Sequence, residues 1–186
     1  CFDPDWNPGG IWRPVRLSET GPVRISRLRV TCSEASDERA VLFFDALIDA
    51  ATATTIELRT TVGHSTDHVS EETLAAGENR VEWRVGVEGH PLWWPHALGD
   101  PNLADVSVEI FVINEDGSRC EIASDTRDVT TGLRSVAMRN FRWTVNGERL
   151  FVKAVNHGPA TQRLADATSH QVAHDIELAK DANLDM

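Results

Sequence analysis

Val81-Glu-Trp-Arg-Val-Gly-Val-Glu88 decides the fold. Val81, Trp83, Val85 and Val87 occupy every second position, with Glu82, Arg84, Gly86 and Glu88 between them. A period of two puts the apolar set on one face of an extended strand, and a helix would scatter it around its circumference. The same alternation recurs on both sides. Leu28, Val30 and Cys32 interleave with Arg27, Arg29 and Thr31, and Ile56, Leu58, Thr60 and Val62 interleave with Thr55, Glu57, Arg59 and Thr61. Val106, Val108, Ile110 and Val112 alternate once more, and Ala40 to Ile48 is a nearly continuous apolar run, as expected of a buried strand. Asp116-Gly117 signals a hairpin turn, with Arg119–Ala123 as the returning strand and Asp125–Thr130 as the last. Seven short strands with turn signals between them predict an antiparallel β-sandwich of the immunoglobulin type. Trp83 is a core residue on this reading.

The pattern changes after Leu133. Phe141, Trp143 and Val145 alternate, Asn146-Gly147 supplies a type I′ turn, and Leu150 to Val155 reads as a strand apolar on both faces, as parallel strands covered by helices are. Thr168-Ser-His-Gln171 is a capping-box pattern, after which Val172, Ile176, Ala179 and Leu184 recur at helical spacing. Hairpin, strand, loop and helix over Ser169 to about Ala182 form an opening (β/α) unit. A closed eight-fold barrel needs about 250 residues, so this chain of 186 residues holds only part of one. At the other end, Cys1 to Arg16 combines Pro4, Pro8 and Pro14 with Trp6 and Trp12. It reads as a loop followed by a short strand, Ile11 to Leu17, from the interior of a longer chain.

Composition bounds the function. The net charge of −11 repels phosphate backbones and anionic lipid, which argues against nucleic-acid and membrane partners. No stretch approaches the ~20 apolar residues of a membrane span. The first residues lack the basic-then-apolar pattern of an export leader, and localisation is left open. Cys1, Cys32 and Cys120 make neither a disulfide framework nor a zinc pattern; Cys32 and Cys120 read as small buried hydrophobes, with one bridge between them as the alternative. His64 and His68 flank Asp67 in a predicted turn without further ligands, and His170 and His174 lack the glutamate of a zinc-protease helix. Neither pair is assigned a metal, and no cofactor is expected. Asp45 and Asp49 are expected to point outward rather than to form a carboxylate pair. Trp93 and Trp94 could stack on sugar rings, but beside prolines they are favoured as packing residues.

The order of these parts resembles the family 2 glycoside hydrolases, of the β-mannosidase and β-galactosidase kind. Gly10-Ile-Trp-Arg-Pro-Val15 resembles the end of their sugar-binding jelly roll. Pro91-Leu-Trp-Trp-Pro95, with Gly99 and Leu103, is similar to a segment of their immunoglobulin-like domain. Gly132-Leu-Arg134, Phe141, Val145-Asn-Gly147 and Phe151-Val-Lys-Ala-Val-Asn156 resemble the opening of their catalytic barrel, and Asp175 to Asn183 its first helix. Ala154 stands where the family usually has glycine, and Asn156-His157-Gly158-Pro159 departs from the asparagine–tryptophan pairing of mannosidases.

The resemblance implies a mainly β chain. Residues 1–20 would end a jelly-roll domain, 21–134 would form an immunoglobulin-like sandwich, and 135–186 would begin a TIM barrel. It also implies retaining glycoside hydrolysis by two glutamates from barrel strands that this sequence does not include. No catalytic residue is therefore assigned here. Asn156 and His157, at the rim following the first barrel strand, are the candidate substrate-binding residues of the intact enzyme. Its implied partners are the remaining jelly-roll and barrel domains and a carbohydrate substrate. The alternative reading is a free-standing immunoglobulin-like carbohydrate-binding or interaction module.

Overall fold

The computed structural model describes residues 11, 14–63, 66–156, 158 and 166–185. Expectations placed on Cys1, Trp6, Trp12, His64 and His157 lie outside the described residues. The chain divides into two units, residues 19–150 and residues 1–18 with 151–186.

The first unit contains the sandwich. Strands β1 (Val23–Ala35), β2 (Arg39–Ala50) and β5 (Gly77–Glu88) form one antiparallel sheet in the order β1-β2-β5. Strands β3 (Thr54–Val62), β4 (Thr66–Leu74), β6 (Ala104–Ile113) and β7 (Asp125–Thr131) form the second in the order β4-β3-β6-β7. Their inward faces supply one apolar cluster, including Ile25, Leu42, Phe44, Ile48, Trp83, Ile56, Leu58, Val108 and Ile110. Ile56, Leu58, Trp83, Val108 and Ile110 are alternating positions seen in the sequence, and Leu42, Phe44 and Ile48 come from its apolar run. Phe44 and Trp83 stack with ring centroids 4.8 Å apart. The buried Trp83 Nε1–H donates to Thr60 Oγ1 of the opposite sheet at 3.0 Å, so the indole's polar end is satisfied inside the core.

Side chains from β7 and the residue before it close the free edge of β1. Ser124 Oγ accepts from the Val23 N–H at 2.9 Å and donates to the Val23 carbonyl at 2.6 Å. Asp125 Oδ2 accepts from the Ile25 N–H at 2.8 Å, and Arg127 donates to the Ile25 carbonyl at 2.9 Å. Backbone groups that would otherwise be open to a foreign strand are thereby occupied.

Three expectations are corrected. First, His68 lies within β4 rather than in a turn. This strand is polar because it lies at the sheet edge, and the residues it pairs beside core positions are Glu72, Ser70 and His68, next to Ile56, Leu58 and Thr60. Second, Arg119–Ala123 does not form a strand. After the turn at Gly117, Cys120 N–H donates to the Val112 carbonyl and Ser124 N–H to the Ile110 carbonyl. Four residues of the return thus span two of β6, and regular pairing resumes only at Asp125. Third, Ile11 and residues 14–17 have no regular structure. Asp45 lies on the outer face of β2, as expected, and is nonetheless only 6% exposed.

Asp45 is covered by arginines. Arg80 donates to both of its oxygens at 2.9 and 3.2 Å, and Arg27 lies 3.9 Å away. These bonds, chiefly the hydrogen bonds from Arg80, hold the Asp45 carboxyl below the usual carboxylate range. Asp49 pairs separately with Arg24 at 3.0 Å. Cys32 and Cys120 are free thiols and half-buried, and burial pushes the Cys32 thiol up.

Two outcomes follow. Thr60→Val keeps the volume but leaves Trp83 Nε1–H without an acceptor, and should lower unfolding stability by about 1–3 kcal/mol. Thr60→Ser should retain most of it. Urea titration followed by tryptophan fluorescence measures both, and equal stability of the valine variant would refute the role of the bond. For Asp45, the folded group releases its proton at lower pH than the unfolded one. Its contribution is therefore complete above about pH 4 and is lost as pH falls through the depressed value. Denaturation midpoints between pH 2.5 and 5.5 should rise with pH more steeply in the wild type than in Asp45→Asn.

Candidate functional site

The link from β5 to β6 cannot continue either sheet, because Pro91, Pro95 and Pro101 withhold ladder donors. It folds instead around two tryptophans. Trp93 N–H donates to the Leu133 carbonyl at 2.9 Å, Trp94 N–H to the Asp100 carbonyl at 3.0 Å, and Asn102 Nδ2 to the Leu92 carbonyl at 3.0 Å. Gly132 lies against the Trp93 ring so closely that a Cβ there would sit 2.7 Å from it. The Arg134 guanidinium lies 4.4 Å from the Trp93 ring centroid, a cation–π contact. Trp94 packs on the core cluster. Both tryptophans are half-buried, Trp93 against Arg134 and Gly132 and Trp94 against the core.

Beyond Leu133 the chain forms a three-stranded sheet of β8 (Val136–Arg139), β9 (Arg142–Val145) and β10 (Glu148–Leu150) in the order β10-β9-β8. Asn146 and Gly147, at φ 50° and 86°, make the turn expected from their sequence. The Asn146 side chain has a second use that the dipeptide does not reveal. Its Oδ1 accepts from the Ser135 N–H at 2.8 Å, and its Nδ2 donates to the Trp93 carbonyl at 3.0 Å. One residue therefore ties the small sheet to the tryptophan loop. Register puts Val136, Met138, Trp143 and Leu150 on one face of this sheet. Val136, Met138 and Trp143 on that face are exposed, as is Phe141 at the β8–β9 turn, 94% accessible at φ 60°.

In the second unit, Leu150–Val155 departs from expectation. Only Leu150 belongs to a strand, and residues 151–156 join no ladder. An apolar run becomes a strand only where a neighbour offers backbone partners. Lys153 is attached to Asp185 instead: its N–H donates to Asp185 Oδ2 at 3.0 Å, and its Nζ lies 2.8 Å from the same oxygen. The helix α1 (Ser169–Asp181) forms as read, with Thr168 as N-cap and the reciprocal Gln171 bond complete. No residue of this helix is buried, and Val172, Ile176 and Leu178 face outward at 48%, 62% and 54% exposure. Asn156 is exposed; His170 and His174 are exposed on the helix. Among the described residues, no group of three histidine, cysteine, aspartate or glutamate side chains could hold a metal ion.

No protein-family model matches the chain. Among solved structures it superposes on the β-D-mannosidase of Dictyoglomus thermophilum with a TM-score of 0.75 at 20% identity, over 97% of this chain and 23% of that one. The exo-chitosanase of Amycolatopsis orientalis follows at 0.73 and 19%, over 89% of this chain and 19% of that one. A family 2 glycosyl hydrolase from Bacteroides cellulosilyticus gives 0.72 at 18%, over 89% and 23% respectively. An immunoglobulin-like sandwich leading into the first elements of a barrel is thus the fold, one that the chain shares with a stretch of family 2 glycosyl hydrolase structures. Its sequence is similar to β-mannosidase B of Aspergillus clavatus, 28% identical over 94% of this chain. It is also similar to an exo-β-D-glucosaminidase of Arthroderma benhamiae, 26% identical over 82% of this chain and 19% of that protein. The chain spans about a fifth of the length of the curated relatives it matches, 21% for the Aspergillus clavatus protein.

The Asn146 tie yields a graded outcome. Asn146→Gly keeps the positive φ but loses both side-chain bonds, and should cost about 1–2 kcal/mol. Asn146→Ala adds the left-handed backbone penalty of about 1–2 kcal/mol. Thermal melting and hydrogen exchange at the Ser135 amide would test this; an unchanged Ser135 exchange rate in Asn146→Gly would exclude the tie.

Proposed function

We propose that the chain is a non-catalytic stretch of a retaining family 2 glycosidase that hydrolyses terminal β-glycosides, β-mannosides foremost. Residues 1–20 end its jelly-roll domain, 21–134 are its sandwich, and 135–186 open its TIM barrel. The sandwich holds the barrel's first elements, through the tie of Asn146 to Ser135 and Trp93. The observation that carries this reading is the helix without a buried residue. An amphipathic helix gains most of its stability by burying its apolar stripe, and Val172 and Ile176, four residues apart on one face, are exposed. Each would contribute roughly 1.5–3 kcal/mol if covered. The apolar face of the β8–β10 sheet makes the same demand in the first unit.

In the intact enzyme Asn156 and His157 stand at the C-terminal rim of the first barrel strand, the end at which barrel active sites form. There they hydrogen-bond sugar hydroxyls. Two glutamates from elsewhere in the parent do the chemistry, one protonating the leaving oxygen and the other attacking the anomeric carbon about 5–5.5 Å away. Twenty-nine acidic residues are present in this chain, but none matches either glutamate's motif.

Two measurements test the reading. The 186-residue chain should not hydrolyse p-nitrophenyl β-D-mannopyranoside, whereas the full-length protein containing it should, with retention of anomeric configuration by NMR. Limited proteolysis of the chain alone should cut beyond Phe151 while residues 19–150 survive. Turnover by the isolated chain, or a tail as resistant as the sandwich, would overturn the proposal.

A further inference from the structure

The second unit contains a carboxylate withdrawn from solvent, the Asp185 side chain at 1% exposure. The end of α1 aims it. Asn183 takes the left-handed conformation at φ 59°, its N–H donates to the Lys180 carbonyl at 2.8 Å, and Leu184 N–H donates to the Ala179 carbonyl at 2.9 Å. This is a Schellman closure with asparagine in the glycine position. It reverses the chain so that Asp185 meets Lys153 at three points. Asp185 N–H donates to the Lys153 carbonyl at 2.7 Å, and Asp185 Oδ2 accepts from the Lys153 N–H and pairs with its Nζ.

Fastening both backbone groups of Lys153 fixes more than one residue. In an extended segment side chains alternate between faces, at about 3.3 Å per residue. As a barrel strand in the intact enzyme, with Lys153 held, Val155 would share its face, and Ala154 and Asn156 would take the other. A one-residue slip would exchange the two sets. Burying a charge pair is a poor way to add stability, since apolar side chains of similar size often do as well or better. The best-attested use of such pairs is to specify register.

We infer that Asp185 is a positioning residue: by clamping Lys153 it sets the height and facing of Asn156 at the sugar-binding rim. This rests on the function proposed above. Asp185 does not touch substrate; it acts through the segment from Lys153 to Asn156.

The test has two arms. In the 186-residue chain, hydrogen exchange should find the Lys153 amide protected in the wild type and released by Asp185→Ala. An unprotected wild-type amide would refute the clamp whatever the protein's activity. In the full-length protein containing this segment, Asn156→Ala and Asp185→Ala are assayed singly and together on p-nitrophenyl β-D-mannopyranoside. Each should raise KM several-fold with kcat little changed, and the double variant should be no worse than Asn156→Ala alone. Additive effects, or a lowered Tm with KM unchanged, would overturn the inference. Should Asp185→Ala fail to fold, Asp185→Leu keeps the side-chain bulk while accepting no bond from the Lys153 N–H, and the same non-additivity is required of it. A full-length protein inactive on every β-glycoside fails the functional proposal, whereas additivity in an active one fails the positioning role alone.

Discussion

The hydrogen bond from Trp83 to Thr60 is the constraint on which the sandwich depends. Trp83 is the largest side chain of the central core and stacks on Phe44 of the neighbouring strand. Its ring could slide against the facing sheet if apolar contact were all that held it, because dispersion and hydrophobic burial have little directional preference. The indole N–H removes that freedom. Buried in an apolar cluster, it needs an acceptor, and Thr60 Oγ1 of β3 is the one it meets. The bond fixes how the two sheets stand against each other. With that offset set, Ser124, Asp125 and Arg127 arrive opposite Val23 and Ile25 and close the edge of β1.

Rigidity is passed from this core to the loop ends. Trp93 is held between Gly132 and Arg134, and its carbonyl receives the Asn146 side chain, so the small β8–β10 sheet is fastened to the sandwich by directed bonds. The apolar face of that sheet and the stripe of α1 are left without cover. A fold that orders its polar contacts so fully while leaving Met138, Phe141, Ile176 and Leu178 in solvent is organised to present surfaces.

Legibility in the sequence followed the sources of each element's stability. Strands β1, β2, β3, β5 and β6 could be read because their apolar residues alternate against a core. Strand β4 could not, since its partners inside the sheet edge are Glu72, Ser70 and His68, whose polarity hides the period. Asn146-Gly147 announced its turn. Asn140-Phe141 did not, because phenylalanine at φ 60° contradicts local preference. The helix cap was visible in Thr168 and Gln171, whose bonds are local. Of the candidate site, Asn156 was named only through the resemblance to a family motif. The attachment of Lys153 to Asp185 joins residues 32 apart, and no local pattern encodes it.

The sequence by itself determined the class of fold, the antiparallel strands, the hairpin at Asn146, the limits of α1 and the likeness to family 2 glycoside hydrolases. All of these rest on periodicity, short-range hydrogen bonding or order along the chain. Only the tertiary structure decided which polar groups meet. Asp45 was read as an outward-facing acid, and three-dimensional packing wrapped it in arginines from β1 and β5. Trp93 was read as a packing residue, and the fold brought Arg134 and Gly132 against its ring. The physical reason is common to both: burial of apolar side chains needs only the right kind of residue at the right spacing, whereas a hydrogen bond or ion pair needs two particular atoms within about 3 Å, and only the folded chain brings them there.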